Sequence, residues 1–295
     1  MDSTESQKRF PHTYWHGTTN QTEIERLDAL HHGIKTCLDG KSFLAPLENP
    51  QTILDLGAGS GIWAIECAEN FPDAQVIAVD LNRMLPRSAP SNFQFRQLDI
   101  LAEPLPLEAD SFDVVHVRFL IIHLPNPRSL LERIARLVKP GGWLLIEDVT
   151  VTGEIKGDAP AVRAAFGLLC KYWESNGQVP RVSVELESWL RQTGAFSEVN
   201  VHEAVAPVGN AGAGDGASAA DSESRQLGST MKKSFRDGFS AETHPGLLAL
   251  GFTPELKKQC MEEWDRSEWQ MEFASALYLG TKVCLMFRSP PTTTQ

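Results

Sequence analysis

The stretch TILDLGAGSG at residues 52–61 decides the fold, because a short apolar run ends in three closely spaced glycines. The run predicts a β-strand, and the apolar spacing over residues 60–70 predicts a helix directly after the glycines. Glycines at such a turn let the backbone bend tightly and approach a ligand, since they carry no Cβ. The pattern therefore predicts a strand, a ligand-binding turn and a helix in succession.

Around this stretch, short apolar runs alternate with helical patterns between residues 51 and 150. Further strands are predicted at 75–79, 93–97, 112–117 and 143–148. The Lys139-Pro140-Gly141-Gly142 segment is predicted to end a helix at 128–138 and to turn the chain into the last of these strands. Such alternation is typical of a parallel sheet covered by helices on both faces. The predicted fold class is therefore α/β, with a doubly wound, mostly parallel sheet.

Further elements are predicted on both sides of this sheet. An amphipathic helix at 23–38, with Asn20 or Thr22 as its N-cap, would roof the carboxyl edge of the sheet. After the sheet, helices are predicted at 159–174, 184–193, 230–239 and 254–264. A strand is predicted at 196–206, and a last strand or a hairpin at 271–287. Residues 207–224 combine Gly, Ala, Ser and Asp with almost no large apolar side chain, which predicts a mobile loop.

Composition and charge narrow the classes of partner. The 295 residues include 27 Lys and Arg against 38 Asp and Glu, a formal net charge of −11, which works against a nucleic-acid or anionic-membrane footprint. The five cysteines are scattered, with no CxxC pair and no metal-ligand spacing, so we expect no metal and a reducing compartment. Neither a signal peptide nor a bilayer-spanning stretch is evident. We expect a cytoplasmic protein with a small-molecule partner.

The glycine spacing argues against two common phosphate-binding motifs. A dinucleotide fingerprint needs a glycine at position 62, where this chain has Ile62. Gly40-Lys41-Ser42 resembles the end of a P-loop, but Lys35 stands where the first glycine belongs and no strand precedes it. Neither a dinucleotide nor a nucleoside triphosphate is therefore the expected ligand.

Three acidic residues follow or end the predicted strands nearest the glycines. Asp55 directly precedes Leu56-Gly57, Asp80 ends the second strand and Asp99 ends the third. An acid at the position of Asp80 is suited to bind ribose hydroxyls, and Asp99 would then reach the adenine edge. Three carboxylates would repel a pyrophosphate but attract a cofactor with a sulfonium and an ammonium group. S-adenosylmethionine has both groups.

These motifs together resemble the class I S-adenosylmethionine-dependent methyltransferases. The shared features are D-x-G-x-G-x-G at 55–61, the acid at Asp80, Leu98-Asp99 and the Lys-Pro-Gly-Gly turn. More narrowly, ERLD at 25–28, the histidine pair at 31–32 and GIWAI at 61–65 resemble fungal methyltransferases of secondary metabolism, including the regulator-like branch that binds velvet proteins. The resemblance implies a Rossmann-like fold with helical caps at both ends.

The resemblance also implies a set of cofactor-binding residues. They are Asp55 at the amino group, Gly57, Gly59 and Gly61 at the methionine portion and ribose, Asp80 and Leu81 at the ribose, Asp99 and Ile100 at the adenine, and Arg118 beside the methionine moiety. Arg118 could equally form a structural ion pair. Trp63, on the first helix after the glycines, could stack on the ligand or pack in the core.

Histidines are the candidates for a catalytic base. Methyl transfer is an in-line displacement that depends mainly on positioning, and a base is needed only for a hydroxyl or a protonated amine. His123, just beyond the fourth strand, falls where such folds open onto the acceptor, and His31 and His32 on the roofing helix come next. His116 lies inside the fourth strand and is expected to be structural.

Aromatic residues outside the predicted sheet suggest an apolar acceptor. Either they line an aromatic pocket or, taken singly, they fill the core and domain contacts. These residues are Tyr14, Trp15 and His16 near the start of the chain and Trp173, Trp264 and Trp269 after the sheet.

We divide the chain into four parts. They are an N-terminal helical cap at 1–45, a Rossmann-like cofactor-binding core at 46–206, a flexible loop at 207–227, and a C-terminal part at 228–295 that completes the sheet and the acceptor pocket. The predicted function is transfer of a methyl group from S-adenosylmethionine to an O, N or C atom of a small molecule, most naturally a secondary metabolite. Two alternatives stay open: a regulatory protein working through protein partners, and a fold member that catalyses a non-methylating rearrangement.

Overall fold

A computed structural model describes residues 20–150, 154–201, 207–209, 219–240, 243–266, 269–272 and 285–288. In chain order the elements are α1 (Gln21–Cys37), β1 (Thr52–Leu56), α2 (Ile62–Asn70), β2 (Gln75–Asp80), β3 (Phe93–Gln97), β4 (Phe112–Arg118), a short 3₁₀ helix (Ile121–His123), α3 (Pro127–Ala135), β5 (Val138–Glu147), β6 (Glu154–Gly157), α4 (Pro160–Ser175), α5 (Val182–Gln192), β7 (Phe196–Asn200), β8 (Pro207–Gly209), α6 (Ala219–Ser240), α7 (Pro245–Ala249), α8 (Pro254–Trp264), β9 (Trp269–Glu272) and β10 (Leu285–Arg288). The predicted aromatic residues Tyr14, Trp15 and His16 lie outside the described residues.

The main sheet has seven strands in the order β3-β2-β1-β4-β5-β10-β7. Strands β1 to β5 run parallel, which confirms the predicted doubly wound α/β sheet. Strand β10 pairs antiparallel with both β5 and β7, so the end of the chain completes the same sheet. A second, antiparallel sheet of three strands, β6-β9-β8, lies apart from it.

The central strands are apolar because both faces of the sheet are covered. Ile53, Leu54 and Leu56 of β1 are fully buried, although their side chains alternate between the two faces. Helix α1 begins at Gln21, two residues before the predicted 23–38. Its N-cap is Asn20, one of the two predicted candidates, whose side chain accepts a hydrogen bond from the Glu23 N–H. Its packing against α6 places both helices above the carboxyl ends of the strands. None of the described helices is long and apolar enough to cross a bilayer.

The Lys-Pro-Gly-Gly segment lies within a strand, not before one. Val138 already pairs with Phe112, and Trp143 pairs with Val114, so residues 139–142 bulge out of the β4–β5 ladder. A Cβ on Gly142 would approach the Asp113 carbonyl oxygen to 2.8 Å, which explains why glycine is needed at this crowded point. The predicted strand at 143–148 was therefore too short at its beginning.

The region predicted as a flexible loop at 207–227 contains regular structure at both ends. Residues 207–209 form β8, and α6 begins at Ala219 and runs to Ser240, beyond both ends of the helix predicted at 230–239. Leu227 and Met231 are buried, which gives α6 an apolar face despite its many small and polar residues. Composition alone missed this packing, because tertiary contacts outweigh intrinsic preference. Residues 210–218 lie outside the described part of the chain.

Candidate active site

A cavity of about 490 Å³ opens at the carboxyl edge of the parallel strands. It lies where the strand order reverses between β1 and β4, the usual ligand position in open α/β sheets. The glycine turn and the ends of β2 to β4 form its floor, and α1, α4 and α6 form its walls. The sheet topology therefore brings the predicted site residues to one place.

Gly57 and Gly61 shape the turn in a way that other residues could not. Their φ angles are 73° and 77°, in the left-handed region that favours glycine. A Cβ on Gly57 would meet the Leu120 side chain at 2.9 Å, and one on Gly61 would meet the Met84 sulfur at 2.5 Å. Gly57 and Gly59 line the cavity, whereas Gly61 caps helix α2. The turn thus presents bare backbone to a ligand.

Asp80 fixes the turn from the neighbouring strand. Its Oδ2 accepts a hydrogen bond from the Gly59 N–H at 2.9 Å, and its Oδ1 accepts one from the Asn82 N–H at 2.8 Å. Burial raises the pKa of this carboxyl, and hydrogen bonds from the backbone N–H groups of Asn82, Gly59 and Leu81 oppose that shift. Since a carboxylate offers about four acceptor positions, Asp80 keeps capacity to accept from a ligand hydroxyl.

The predicted adenine-side residues lie together beyond Asp80. Leu81, Asp99 and Ile100 all line the cavity, and the Asp99 Oδ1 accepts from the Leu101 N–H at 2.9 Å. Ile100 is buried, so this end of the cavity offers an apolar surface beside a carboxylate. That combination suits a flat base with polar edges.

A buried polar pair lies beneath the turn. His116 Nδ1 is 2.7 Å from Asp55 Oδ1, and the His116 ring stacks on Trp63 at 3.6 Å between centroids. Burial lowers the pKa of His116 well below its usual value and raises the pKa of Asp55 to about 7. The Trp63 indole N–H donates to the Ser42 carbonyl at 2.8 Å. Trp63 is therefore a packed, hydrogen-bonded residue that also contributes to the cavity wall.

Arg118 links the buried Glu147 of β5 to His31 of helix α1. Its Nε donates to the buried carboxylate of Glu147, and its Nη1 lies 2.9 Å from His31 Nδ1. Because a guanidinium only donates, His31 Nδ1 must accept, and the proton must sit on Nε2, 3.1 Å from Glu66 Oε2. Burial and the nearby Arg118 lower the pKa of His31 to about 4. Arg118 thus lines the cavity and forms a structural ion pair at once.

The three candidate bases occupy different positions. His123 lines the cavity at the end of the 3₁₀ helix, with its ring edge-on to Trp173 at 5.8 Å. His31 also lines the cavity, but both of its ring nitrogens face partners. His32 is exposed, its Nδ1 lies 2.6 Å from the Asp28 carbonyl, and it does not reach the cavity. The predicted candidate His32 therefore does not line the cavity, because its side chain projects from a different face of α1 than that of His31.

Helices α4 and α6 supply a wall that was largely missed by sequence reasoning. Trp173 lines the cavity, which is one of the two alternatives predicted for these aromatic residues. Trp264 and Trp269 follow the other alternative: both are core residues, and their ring centroids lie 5.0 Å apart. The lining residues of this wall that were not predicted include Leu169, Tyr172, Gln178, Met231, Ser234, Phe235, Phe239 and His244. The spacing of apolar residues in α4 is typical of a helix face that packs in the core. Only the position of α6 shows that the same face of α4 also borders a cavity. Within the described ranges, no group of three or more His, Cys, Asp or Glu side chains is arranged to hold a metal ion.

Asp148 supports the segment that carries His123. This fully buried carboxylate accepts from the Val149 N–H at 2.8 Å and from the Ile122 N–H at 3.1 Å. Burial raises its pKa from 3.8 to about 7, against the effect of these hydrogen bonds. The protonation state of Asp148 is therefore coupled to folding.

We expect the Asp148→Asn variant to reveal this coupling. A carboxyl whose pKa is raised on folding binds more protons in the folded state, so its contribution to stability falls as the pH rises from about 4 to about 7. The difference in free energy of unfolding between the unmodified protein and Asp148→Asn should shrink across this range in urea titrations. Asp113→Asn is the matched control, because the pKa of Asp113 is lowered. A difference that grows with pH at Asp148 would contradict the assignment.

The chain was compared with known proteins. A family model described as a methyltransferase domain matches residues 29–195. Methyltransferase str2 of Strobilurus tenacellus is 34% identical over 278 residues, which cover 94% of this chain and 97% of that protein. Methyltransferase str3 of the same organism is 46% identical over 188 residues, 63% of this chain and 68% of that protein.

A solved structure shows the same fold. Phosphoethanolamine N-methyltransferase 2 of Haemonchus contortus, in complex with S-adenosyl-L-methionine, matches with a TM-score of 0.51 and 19% identity. The match covers 92% of this chain and 58% of that one. Such a cofactor fits this site. The glycine turn leaves room that Cβ atoms would fill, and the Asp80 carboxylate keeps capacity to accept from a ligand hydroxyl. The chain belongs to the S-adenosylmethionine-dependent methyltransferases, with relatives that include fungal methyltransferases and secondary-metabolism regulators.

Proposed function

We propose that this enzyme methylates an O, N or C atom of a small, largely apolar molecule of the secondary-metabolite type. One observation carries the proposal: the cavity runs without interruption from the glycine turn and Asp80 to the aromatic wall around Trp173. A cofactor at the first end and an apolar acceptor at the second would meet inside one enclosed space. The proposal also draws on the two Strobilurus tenacellus relatives, both named methyltransferases.

In this proposal the residues of the floor hold the cofactor. Asp80 binds the ribose hydroxyls, Asp99 and Ile100 face the adenine, and Asp55 and Arg118 face the methionine end. Their role is to place the sulfonium methyl in line with the acceptor atom, and such positioning is worth up to about 7–11 kcal/mol. When bound, S-adenosylmethionine supplies the methyl group.

His123 is the proposed general base. It lies in the wall beside Trp173, whereas burial and Arg118 keep His31 neutral and its accepting nitrogen, Nδ1, is already bound by the Arg118 guanidinium. For a hydroxyl or ammonium acceptor, His123→Ala should lower kcat by about 10²- to 10⁴-fold while leaving cofactor affinity unchanged. The control is His32→Ala, which removes an exposed histidine and should keep the kcat of the unmodified protein. An unaltered kcat in His123→Ala would remove it as the base.

Label transfer tests the proposed function. Purified protein is incubated with methyl-labelled S-adenosylmethionine and a low-molecular-weight metabolite extract, and the products are separated by chromatography. We expect label in a small apolar product, and its structure identifies the acceptor atom. Tight cofactor binding without transfer to any product would instead favour the regulatory protein or the non-methylating rearrangement.

The remaining assignments support the same proposal. The net charge of −11 disfavours nucleic acid as the acceptor. We propose a cytoplasmic location and a small-molecule substrate. A protein partner is compatible with this proposal. We also propose that residues 46–206 form the cofactor-binding core and that the parts at 1–45 and 228–295 act as caps. The contributions of α1 and α6 to the cavity walls are consistent with this division.

A further inference from the structure

Arg87 lies in the connection between β2 and β3, residues 81–92, which contains no helix or strand. Its Nη1 and Nη2 each donate to a carboxylate oxygen of Asp28 on α1, both at 3.1 Å. The Nη1 group also donates to the Ser60 carbonyl oxygen in the glycine turn, at 3.0 Å. One guanidinium therefore joins the β2–β3 loop, helix α1 and the glycine turn.

These three segments all border the end of the cavity where the cofactor is proposed to lie. Asn82 of the loop, Ser60 of the turn and Leu27 of α1 line the cavity. Arg87 itself does not line it. Any effect of Arg87 on a bound ligand must therefore pass through the segments that it holds together.

Leu27 of α1 packs directly on the glycine turn. A Cβ on Gly59 would approach the Leu27 Cδ1 to 3.1 Å, so helix and turn are in close contact at this point. The next residue, Asp28, is the one that Arg87 binds. The ERLD stretch at 25–28 thus places a side chain that covers the turn beside the side chain that anchors it.

The ion pair between Arg87 and Asp28 is only partly buried, with 27% and 24% of the two side chains exposed. Pairs of this kind contribute little to the free energy of unfolding. A contact that joins three walls of a binding site can still contribute to ligand affinity, because walls that are ordered in advance lower the cost of binding. The geometry therefore suits Arg87 to the cofactor site more than to overall stability.

We propose that Arg87 is a positioning residue for S-adenosylmethionine: it holds α1 and the β2–β3 loop against the glycine turn, so that Leu27 covers the bound cofactor. The inference goes beyond the proposed function, because it does not depend on the acceptor. It rests on the cofactor lying at the glycine turn, which titration of Asp80→Ala tests separately. Without the guanidinium, α1 is released from the turn and the cofactor leaves more readily.

Two binding measurements test this role without any transfer step. Calorimetry measures S-adenosylhomocysteine affinity, and a chase with unlabelled cofactor measures the dissociation rate of labelled S-adenosylmethionine. We expect Arg87→Met to bind S-adenosylhomocysteine about tenfold more weakly and to release S-adenosylmethionine correspondingly faster. Its free energy of unfolding in urea should stay nearly unchanged.

A double-variant comparison tests whether Arg87 acts through Asp28. Asp28→Ala should also weaken cofactor binding. The double variant Arg87→Met/Asp28→Ala should bind no more weakly than Arg87→Met alone, since both substitutions remove one shared contact.

Lys35→Met is the matched control. Lys35 lies on the same helix and forms an ion pair of similar exposure with Glu66 of α2, at 2.9 Å, but this pair does not involve the turn or the β2–β3 loop. We expect Lys35→Met to keep the cofactor affinity of the unmodified protein.

Three results would overturn the inference: unchanged affinity in Arg87→Met, an equal loss in Lys35→Met, or additive losses in the double variant. If Arg87→Met does not fold, Asp28→Ala decides, and unchanged cofactor dissociation in that variant contradicts the inference. Weaker binding in Asp80→Ala with no effect of Arg87→Met would remove Arg87 but keep the cofactor site. A protein that shows the Arg87 effect yet transfers no label would contradict only the proposed function.

Discussion

Replacing Arg118 with methionine is expected to lower the free energy of unfolding by about 3–5 kcal/mol, because it leaves a buried carboxylate without its cation. Glu147 is almost fully buried, and its hydrogen bond from Arg118 Nε is the close contact that neutralises it. Among the described residues, the other side-chain nitrogen that approaches Glu147 is His116 Nε2, at 3.9 Å. Burial keeps His116 neutral, so it cannot replace the guanidinium.

Urea denaturation of Arg118→Met measures this loss directly. The double variant Arg118→Met/Glu147→Leu is the control, because it removes both charges and should recover most of the lost stability. Lys139→Met is a second control: this lysine pairs with a partly exposed Asp113, and we expect a change of less than about 1 kcal/mol. A loss of similar size in Lys139→Met, or no recovery in the double variant, would contradict the role assigned to the pair.

The Asp80→Ala variant is expected to weaken S-adenosylmethionine binding by about 3 kcal/mol, roughly 150-fold. Two effects combine: the proposed ribose contacts are lost, and the Gly59 N–H loses the acceptor that fixes the turn. Calorimetric titration with the cofactor measures the change, and circular dichroism checks that the fold persists.

Asp113→Ala is the matched control for Asp80→Ala. Its carboxylate lies near the beginning of β4, away from the cavity, where it accepts from the N–H groups of Gln51 and Thr52. We expect some loss of stability in this variant but unchanged cofactor affinity. Equal affinities in Asp80→Ala and the unmodified protein would remove Asp80 from the cofactor site.

The glycine turn and the parallel strands could be predicted from the sequence because their signals are local. A run such as Thr52–Leu56 has strand length and composition, and the glycines that follow require special backbone angles. Parallel strands also place their carboxyl ends at one edge of the sheet. The sequence alone therefore predicts that Asp55, Asp80 and Asp99 belong to one site.

The wall opposite the cofactor side could not be predicted in the same way. Helix α6 is rich in small and polar residues. Its few apolar residues can be assigned to a buried face only once the helix is seen to pack on α1. Neighbouring histidines on α1 illustrate the same limit, since His31 is buried at the cavity and His32 is exposed. Arg87 carried no sequence signal, because its link between a loop, α1 and the glycine turn is a property of three-dimensional packing.

We propose that one cavity holds the cofactor at the glycine turn and the acceptor at the aromatic wall. A crystal structure of the protein with S-adenosylhomocysteine tests it most directly. We predict ribose hydroxyls within hydrogen-bond distance of Asp80, the base beside Ile100, and the sulfur facing the part of the cavity wall that His123 and Trp173 form. Density for the ligand outside this cavity, or a sulfur directed away from His123, would contradict the account.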